Sequence, residues 1–238
     1  ISRPQRYDWQ ASEFLTDSTI QSAILLYYAG RLVLSDRFLN HSSEELNQIE
    51  RLELSQLAHD LGLKASGLSI GKTAGKSGLF CPEFLFPDIE IEIKIDHRLE
   101  PLVAAIIRQE SGFFSNVKSS SGAIGAMQVM PSTASSMAKK LGVNFSEKKL
   151  LRDRNYNVEI GTHYLKRLLK KFDGSKVLSI AAYNAGPQRI QEWIKKFGDP
   201  RVYGVDPLVW IELIPFGETR NYVKRVMEAD WVYQGKAI

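Results

Sequence analysis

The sequence predicts a mainly α protein, and three observations carry that expectation. Apolar residues recur at three- and four-residue steps through the first sixty positions. From Leu99 to the end, helix punctuation dominates, with Pro at helix starts and Gly just past helix ends. Between these regions one short run alternates with period two, and a lone strand has no partner for its edges. The chain has 238 residues, 44% hydrophobic and 24% charged, the balance of a folded globular protein with one large domain or two small ones.

Taking the elements in order, Ile20, Ala23, Ile24, Tyr27 and Tyr28 lie on one helical face. Ser42 and Glu45 have the spacing of a capping box, in which each side chain satisfies the other residue's free backbone N–H. A helix follows through Leu46, Ile49, Leu52 and Leu57 to about Leu61, and Gly62 stops it. Residues 62–81 are rich in Gly, Ser and Lys and read as a loop. Gly71-Lys-Thr and Gly75-Lys-Ser do not make a phosphate loop, because Ser66 and Ile70 stand where the upstream Gly is required. Ile89, Ile91, Ile93 and Ile95 alternate with Glu90, Glu92 and Lys94, a strand pattern. Two parts result, a helical region 1–96, irregular over 62–96, and a second domain 97–238.

Charge divides along the same line. Residues 1–96 hold 9 Lys and Arg against 14 Asp and Glu; residues 97–238 hold 22 against 13. The second part either faces something anionic, such as nucleic acid, a membrane surface or a carboxylate-bearing polymer, or carries a basic face that serves solubility; the charge balance alone does not choose. The longest apolar run, Ala23 to Gly30, stops at Arg31, far short of the ~20 residues that span a bilayer. The single cysteine, Cys81, excludes an internal disulfide framework and any multi-cysteine metal site. His41, His59, His97 and His163 share no metal-ligand spacing, and no cofactor motif is present, so neither metal nor cofactor is expected.

The informative stretch begins at Pro101, which suits a helix's first turn. Val103, Ile106 and Ile107 mark the buried stripe, and Glu110 falls on it, seven residues after Val103 and four after Ile106. A carboxyl there is either paired with a buried cation or desolvated, and desolvation raises its pKa toward that of a general acid. After Glu110 the next acidic residue is Glu147, so the loop following it carries no second carboxylate. Glu212 is the obvious distant candidate if two carboxylates are needed. Tyr164, Leu165, Leu168, Leu169 and Phe172 form a core stripe with Asn157 as helix cap. Trp193 and Trp210 suit either sugar stacking or the interior.

Four segments follow one another in register: Glu110-Ser-Gly; Ser119-Ser-Ser-Gly-Ala-Ile-Gly-Ala-Met127-Gln128-Val-Met130-Pro131; Ala181-Ala-Tyr183-Asn184-Ala-Gly-Pro187; and Glu212-Leu-Ile-Pro-Phe-Gly-Glu218-Thr-Arg220-Asn-Tyr222-Val. Together they resemble the catalytic domain of the soluble lytic transglycosylases, over about residues 97–233. The resemblance implies a lysozyme-like catalytic domain preceded by a helical linker or superhelix fragment, where a helix rather than alternating isoleucines is expected just before Pro101. It implies non-hydrolytic cleavage of peptidoglycan between N-acetylmuramic acid and N-acetylglucosamine, with Glu110 as the single acid and base. The muramoyl acetamido group would assist, and a 1,6-anhydro end would form. Ser119 would bind the acetamido group. Met127, Gln128 and Met130 would line the groove, although Met127 and Met130 suit the core as well. Tyr183 would reach Glu110 or the acetamido group, Asn184 would fix its turn or bind sugar, and Glu212 would contact saccharide or orient the site. Arg220 and Tyr222 would bind substrate or the peptide stem or pack their helix, with helix packing preferred. The expected partner is the peptidoglycan strand, not nucleic acid, met by a monomer in the periplasm after removal of a signal peptide. A hydrolytic muramidase of the same fold and a non-catalytic wall-binding protein stand as alternatives.

Overall fold

The computed structural model describes residues 6–75, 82–89 and 91–236; Cys81 and part of the Gly75-Lys-Ser segment lie outside them. The chain divides into two compact units, Ile1–Ile89 and Glu90–Ile238. Among the described residues all regular structure is helical, and no helix is long and apolar enough to cross a membrane.

In the first unit two single-turn helices, Trp9–Ala11 and Glu13–Thr16, lead into α1 (Ser18–Tyr28), α2 (Leu32–Ser42), α3 (Gln48–Asp60), α4 (Lys64–Gly75) and α5 (Pro82–Leu85). Ile20 and Ala23 enter a core with Phe14, Leu39, Leu54 and Leu57, while Tyr28 at the end of the stripe is exposed. The capping box lies at Asn47 and Glu50 instead of Ser42 and Glu45. Asn47 accepts from the N–H groups of Ile49 and Glu50, and the Glu50 side chain accepts from Asn47 N–H, whereas Ser42 ends α2. Asn47 fills the role because it alone directly precedes the helical residues whose N–H groups lack partners.

The glycine-rich segment expected as a loop is helix α4. Gly71 serves close packing: a Cβ there would lie 3.2 Å from Phe84 Cβ and 3.5 Å from Ser55 Oγ. Glycine's helix penalty of about 0.5–1 kcal/mol is offset because α4 lies backbone-close to α3, burying Leu68, Ile70 and Ala74.

The second unit runs α6 (Glu100–Glu110), α7 (Pro131–Leu141), α8 (Glu147–Arg152), α9 (Arg154–Lys171), α10 (Lys176–Ala185), α11 (Pro187–Phe197), α12 (Pro207–Glu212) and α13 (Gly217–Lys236). The isoleucine run ahead of α6 makes no strand among its described residues. Ile91, Ile93 and Ile95 are half-buried while Glu92, Lys94 and Asp96 are exposed, so the alternation holds without a ladder. Glu92 N–H donates to Asn155 Oδ1 and its carboxylate accepts from Asn155 Nδ2, so side-chain bonds replace a strand partner. Pro101 stands in the first turn of α6, and α13 packs along α6 and α10. Trp193 and Trp210 are interior; Trp210 Nε1 donates to Gly198 O at 3.0 Å.

Because Gly71 has no room for a branched side chain, Gly71→Val is expected to destabilise the first unit by about 1–3 kcal/mol. Urea denaturation followed by circular dichroism checks this; an unchanged midpoint would contradict the packing role.

Candidate active site

Glu110 is the last residue of α6, placed by a helix in which Pro101–Ile107 are all buried. Its carboxyl sits at a cleft of about 600 Å³. From α13, 112 positions along the chain, the buried Tyr222 hydroxyl donates to Glu110 Oε1 at 2.6 Å. Burial pushes the Glu110 carboxyl up to about 7, the charge of Glu218 pushes the same way, and the Tyr222 bond opposes both. Among the described residues no cation pairs with Glu110. Of the two explanations for a carboxyl on an apolar stripe, desolvation holds and the buried ion pair does not.

The loop from Ser111 to Met130 wraps the other side. Isolated antiparallel bridges join Lys118 to Ile124 and Ile124 to Val129, and Ser119 Oγ accepts from Ala123 N–H at 2.9 Å. Gly125, at φ +77°, lies so close to α9 that a Cβ would land on the Asn157 amide and 2.7 Å from Leu150 O. Gln128 adopts φ +45° and its amide donates to Gly125 O at 2.7 Å. Asn157 does not cap α9; Asp153 does, accepting from Tyr156 N–H. Asn157 is a buried residue inside the helix whose amide bonds the loop.

Six of the eight expected residues line the cleft: Glu110, Ser119, Gln128, Met130, Tyr183 and Asn184. The other two do not. Met127 is fully buried, its side chain packed so tightly against Gly161 that a Cβ there would come within 2.5 Å of Met127 Sδ. Its carbonyl reaches the site instead, accepting from the Tyr183 hydroxyl at 2.9 Å. Glu212 is on the surface, paired with Lys224 and Arg220; the Lys224 hydrogen bond first, and then the two charges, hold its carboxyl below the usual range. Its neighbours are cations one and two turns into α13, which draw it away from the cleft.

Tyr183 thus hydrogen-bonds the loop, and Tyr222 takes the place at Glu110. Burial and the Glu110 charge push both phenols well above their ordinary pKa, so both stay protonated donors. Asn184 Oδ1 accepts from Thr219 Oγ1 at 2.7 Å, tying α10 to the start of α13. The Tyr164 ring packs on Tyr183 at 5.3 Å between centroids. Gln109, Ser121, Glu218, Asn221 and Arg225 also line the cleft without having been singled out for it. Glu218, Asn221, Tyr222 and Arg225 follow helical spacing, a signal available only once α13 is known to face Glu110. Such a site offers one desolvated carboxyl, Glu110, with the exposed Glu218 at its rim, a fixed phenol donor and polar loop groups, an arrangement for general acid and base chemistry. Among the described residues no cluster of three His, Cys, Asp or Glu is placed to hold a metal ion.

Residues 89–203 match the family model described as Transglycosylase SLT domain. The soluble lytic murein transglycosylase of Escherichia coli K12 is 40% identical over 131 residues, 55% of this chain and 20% of that protein. The membrane-bound lytic murein transglycosylase D of the same strain is 30% identical over 118 residues, 50% of this chain and 25% of that one. In three dimensions the lytic transglycosylase Slt of Pseudomonas aeruginosa, solved as an inactive mutant, superposes with TM-score 0.82 at 28% identity, covering 98% of this chain and 38% of that one. A 70-kDa soluble lytic transglycosylase in complex with bulgecin A gives TM-score 0.83 at 29% identity, over 99% and 38%. The chain therefore spans about a fifth of the length of the first curated relative and under two fifths of the solved ones.

The Glu110 carboxyl holds its proton in the folded state up to about pH 7, against 4.5 ordinarily. From pH 4.5 to 7 the unfolded chain ionises first, so stability falls as pH rises through that window. Glu110→Gln, which cannot ionise, is expected to be more stable than the wild type by up to about 3 kcal/mol at pH 8, with little difference at pH 4. Denaturant titrations at the two pH values decide; a variant no more stable at pH 8 would mean that the carboxyl is hydrated.

Proposed function

We infer that this chain, which carries a Transglycosylase SLT domain at residues 89–203, is a lytic murein transglycosylase. It cleaves the β-1,4 bond between N-acetylmuramic acid and N-acetylglucosamine without adding water. The observation that carries this reading is a single desolvated carboxyl, held by one phenol, with the other expected carboxylate, Glu212, neutralised on the surface.

The chemistry follows from that asymmetry. Near neutral pH Glu110 is poised between its two forms and donates its proton to the glycosidic oxygen as the C1–O4 bond breaks. Among the described residues no second carboxylate stands buried in the cleft to attack C1, so the nucleophile comes from the substrate, whose 2-acetamido oxygen closes on the electron-poor carbon. Glu110, now a carboxylate holding the Tyr222 hydrogen bond, takes the proton from the C6 hydroxyl as O6 attacks C1. The acetamido group leaves C1, a 1,6-anhydro ring closes, and Glu110 ends protonated as it began. Ser119, Gln128 and Asn184 supply polar contacts along the strand, and the excess of Lys and Arg over residues 97–238 suits the substrate's lactyl and peptide carboxylates. The substrate sets the place of action: the periplasm, with a monomer working along glycan strands.

A hydrolytic reading rests on Glu218, an exposed carboxylate on the cleft rim whose charge acts on Glu110. Mass spectrometry of fragments released from purified peptidoglycan separates the two. The lytic reading expects muramoyl ends lighter by one water, and release cut at least about 100-fold by Glu110→Gln. Hydrated reducing ends would make Glu218 the second catalytic carboxylate and the protein a muramidase.

A further inference from the structure

Asn157 is a fully buried amide that bonds the loop facing Glu110, and it makes three hydrogen bonds. Its Oδ1 accepts from Met127 N–H at 2.9 Å, and its Nδ2 donates to Ile124 O and Leu150 O, both at 2.9 Å. Gly125, between the two bonded loop residues, has no Cβ to hold the loop off this amide, and the Met127 side chain is seated on Gly161 one turn further along α9. Met127 is therefore fixed at its N–H by Asn157, and its carbonyl receives the Tyr183 hydroxyl at 2.9 Å. A phenol has one proton to donate. While Met127 O holds it, Tyr183 has none for the carboxylate that lies within reach of its charge.

We propose that Asn157 is a positioning residue for the acid: by fixing the Met127 peptide it keeps the Tyr183 hydroxyl engaged by the Met127 carbonyl, so that Glu110 is met by one phenol donor, Tyr222, instead of two. The proposal rests on the reading of Glu110 as the acid. Its physical content is that a second donor favours the ionised carboxyl and would spoil a proton donor at neutral pH. The groups that face Glu110 are Tyr222, Glu218 and Arg225 from α13 and Tyr183 from α10; the loop side presents neutral Ser119 and Gln128. Arg108, on α6 itself, interacts with Tyr233, Glu228 and Arg225. Of these only Tyr183 is a neutral donor whose proton is held elsewhere by a bond that Asn157 governs.

The test is a carbon-13 carboxyl NMR titration of Glu110 in the purified full chain, which needs no turnover. Asn157→Ala is expected to lower the Glu110 titration midpoint by about one pH unit as the freed Tyr183 hydroxyl turns to the carboxylate. The basic limb of the pH–kcat profile on peptidoglycan moves down with it. The double variant Asn157→Ala with Tyr183→Phe is expected to return within about 0.3 units of wild type. A role in folding alone would lower the melting temperature and leave the midpoint in place, and a folded Asn157→Ala protein with no shift overturns the proposal. So does a shift that persists in the Tyr183→Phe background. If Asn157→Ala does not fold, Tyr183→Phe alone decides. An unchanged midpoint supports the commitment of the Tyr183 proton to Met127, and a rise of about one unit, showing that Tyr183 already serves Glu110, overturns it. A wild type that titrates as described but releases no muropeptides defeats the functional reading and leaves this one standing.

Discussion

A carboxyl withdrawn from water at the end of a helix is the constraint around which the second unit is arranged. Desolvation disfavours the charge, and an isolated buried carboxylate costs several kcal/mol, so the group stays protonated unless something compensates. One phenol compensates in part. Tyr222 has to come from α13, which therefore packs along α6, and Thr219, one turn earlier on α13, ties the same helix to Asn184 at the end of α10. Three helix ends converge on one proton because each contributes a hydrogen bond that a distant segment must complete.

The opposite wall shows how a loop of twenty residues is made rigid without regular secondary structure. Asn157 bonds it to α9 through the Met127 N–H and the Ile124 carbonyl, which also accepts from Val129 N–H. The positive φ angles of Gly122, Gly125 and Gln128 let the backbone double back in the space available. Gly125 illustrates both uses of glycine at once, since its conformation is left-handed and its missing Cβ is where the Asn157 amide lies. The result places polar atoms in the cleft by backbone geometry, so the chemistry does not depend on flexible side chains finding their positions.

What the sequence reveals of this site divides by distance along the chain. Glu110 is legible because its anomaly is local: a carboxylate at the spacing of Val103 and Ile106. Tyr222 is not, because its partner is 112 residues away and its own helix offers an ordinary packing reason for an aromatic residue. Asn157 misleads for the same reason, since an Asn near a helix start is usually a cap, and only the three-dimensional approach of Gly125 gives it another use. Glu212 attracts notice as an acid within a motif, yet its cationic neighbours Arg220 and Lys224 were in plain view on the following helix. In the first unit the Gly-rich stretch 64–75 reads as a loop because composition records glycine's cost and not the close α3–α4 packing that offsets it. The isoleucine alternation is right about which side chains are half-buried and wrong about a strand, since Glu92 is bonded by the Asn155 side chain and not by a neighbouring strand.

The central claim is that one carboxyl suffices because the substrate completes the reaction with its own hydroxyl. Digestion of peptidoglycan in oxygen-18 water addresses it directly. The account predicts muramoyl products that carry no heavy oxygen at C1, since the O6 already present closes the ring. Heavy oxygen at the new reducing ends would mean that water is the nucleophile, and the single-acid account would be wrong.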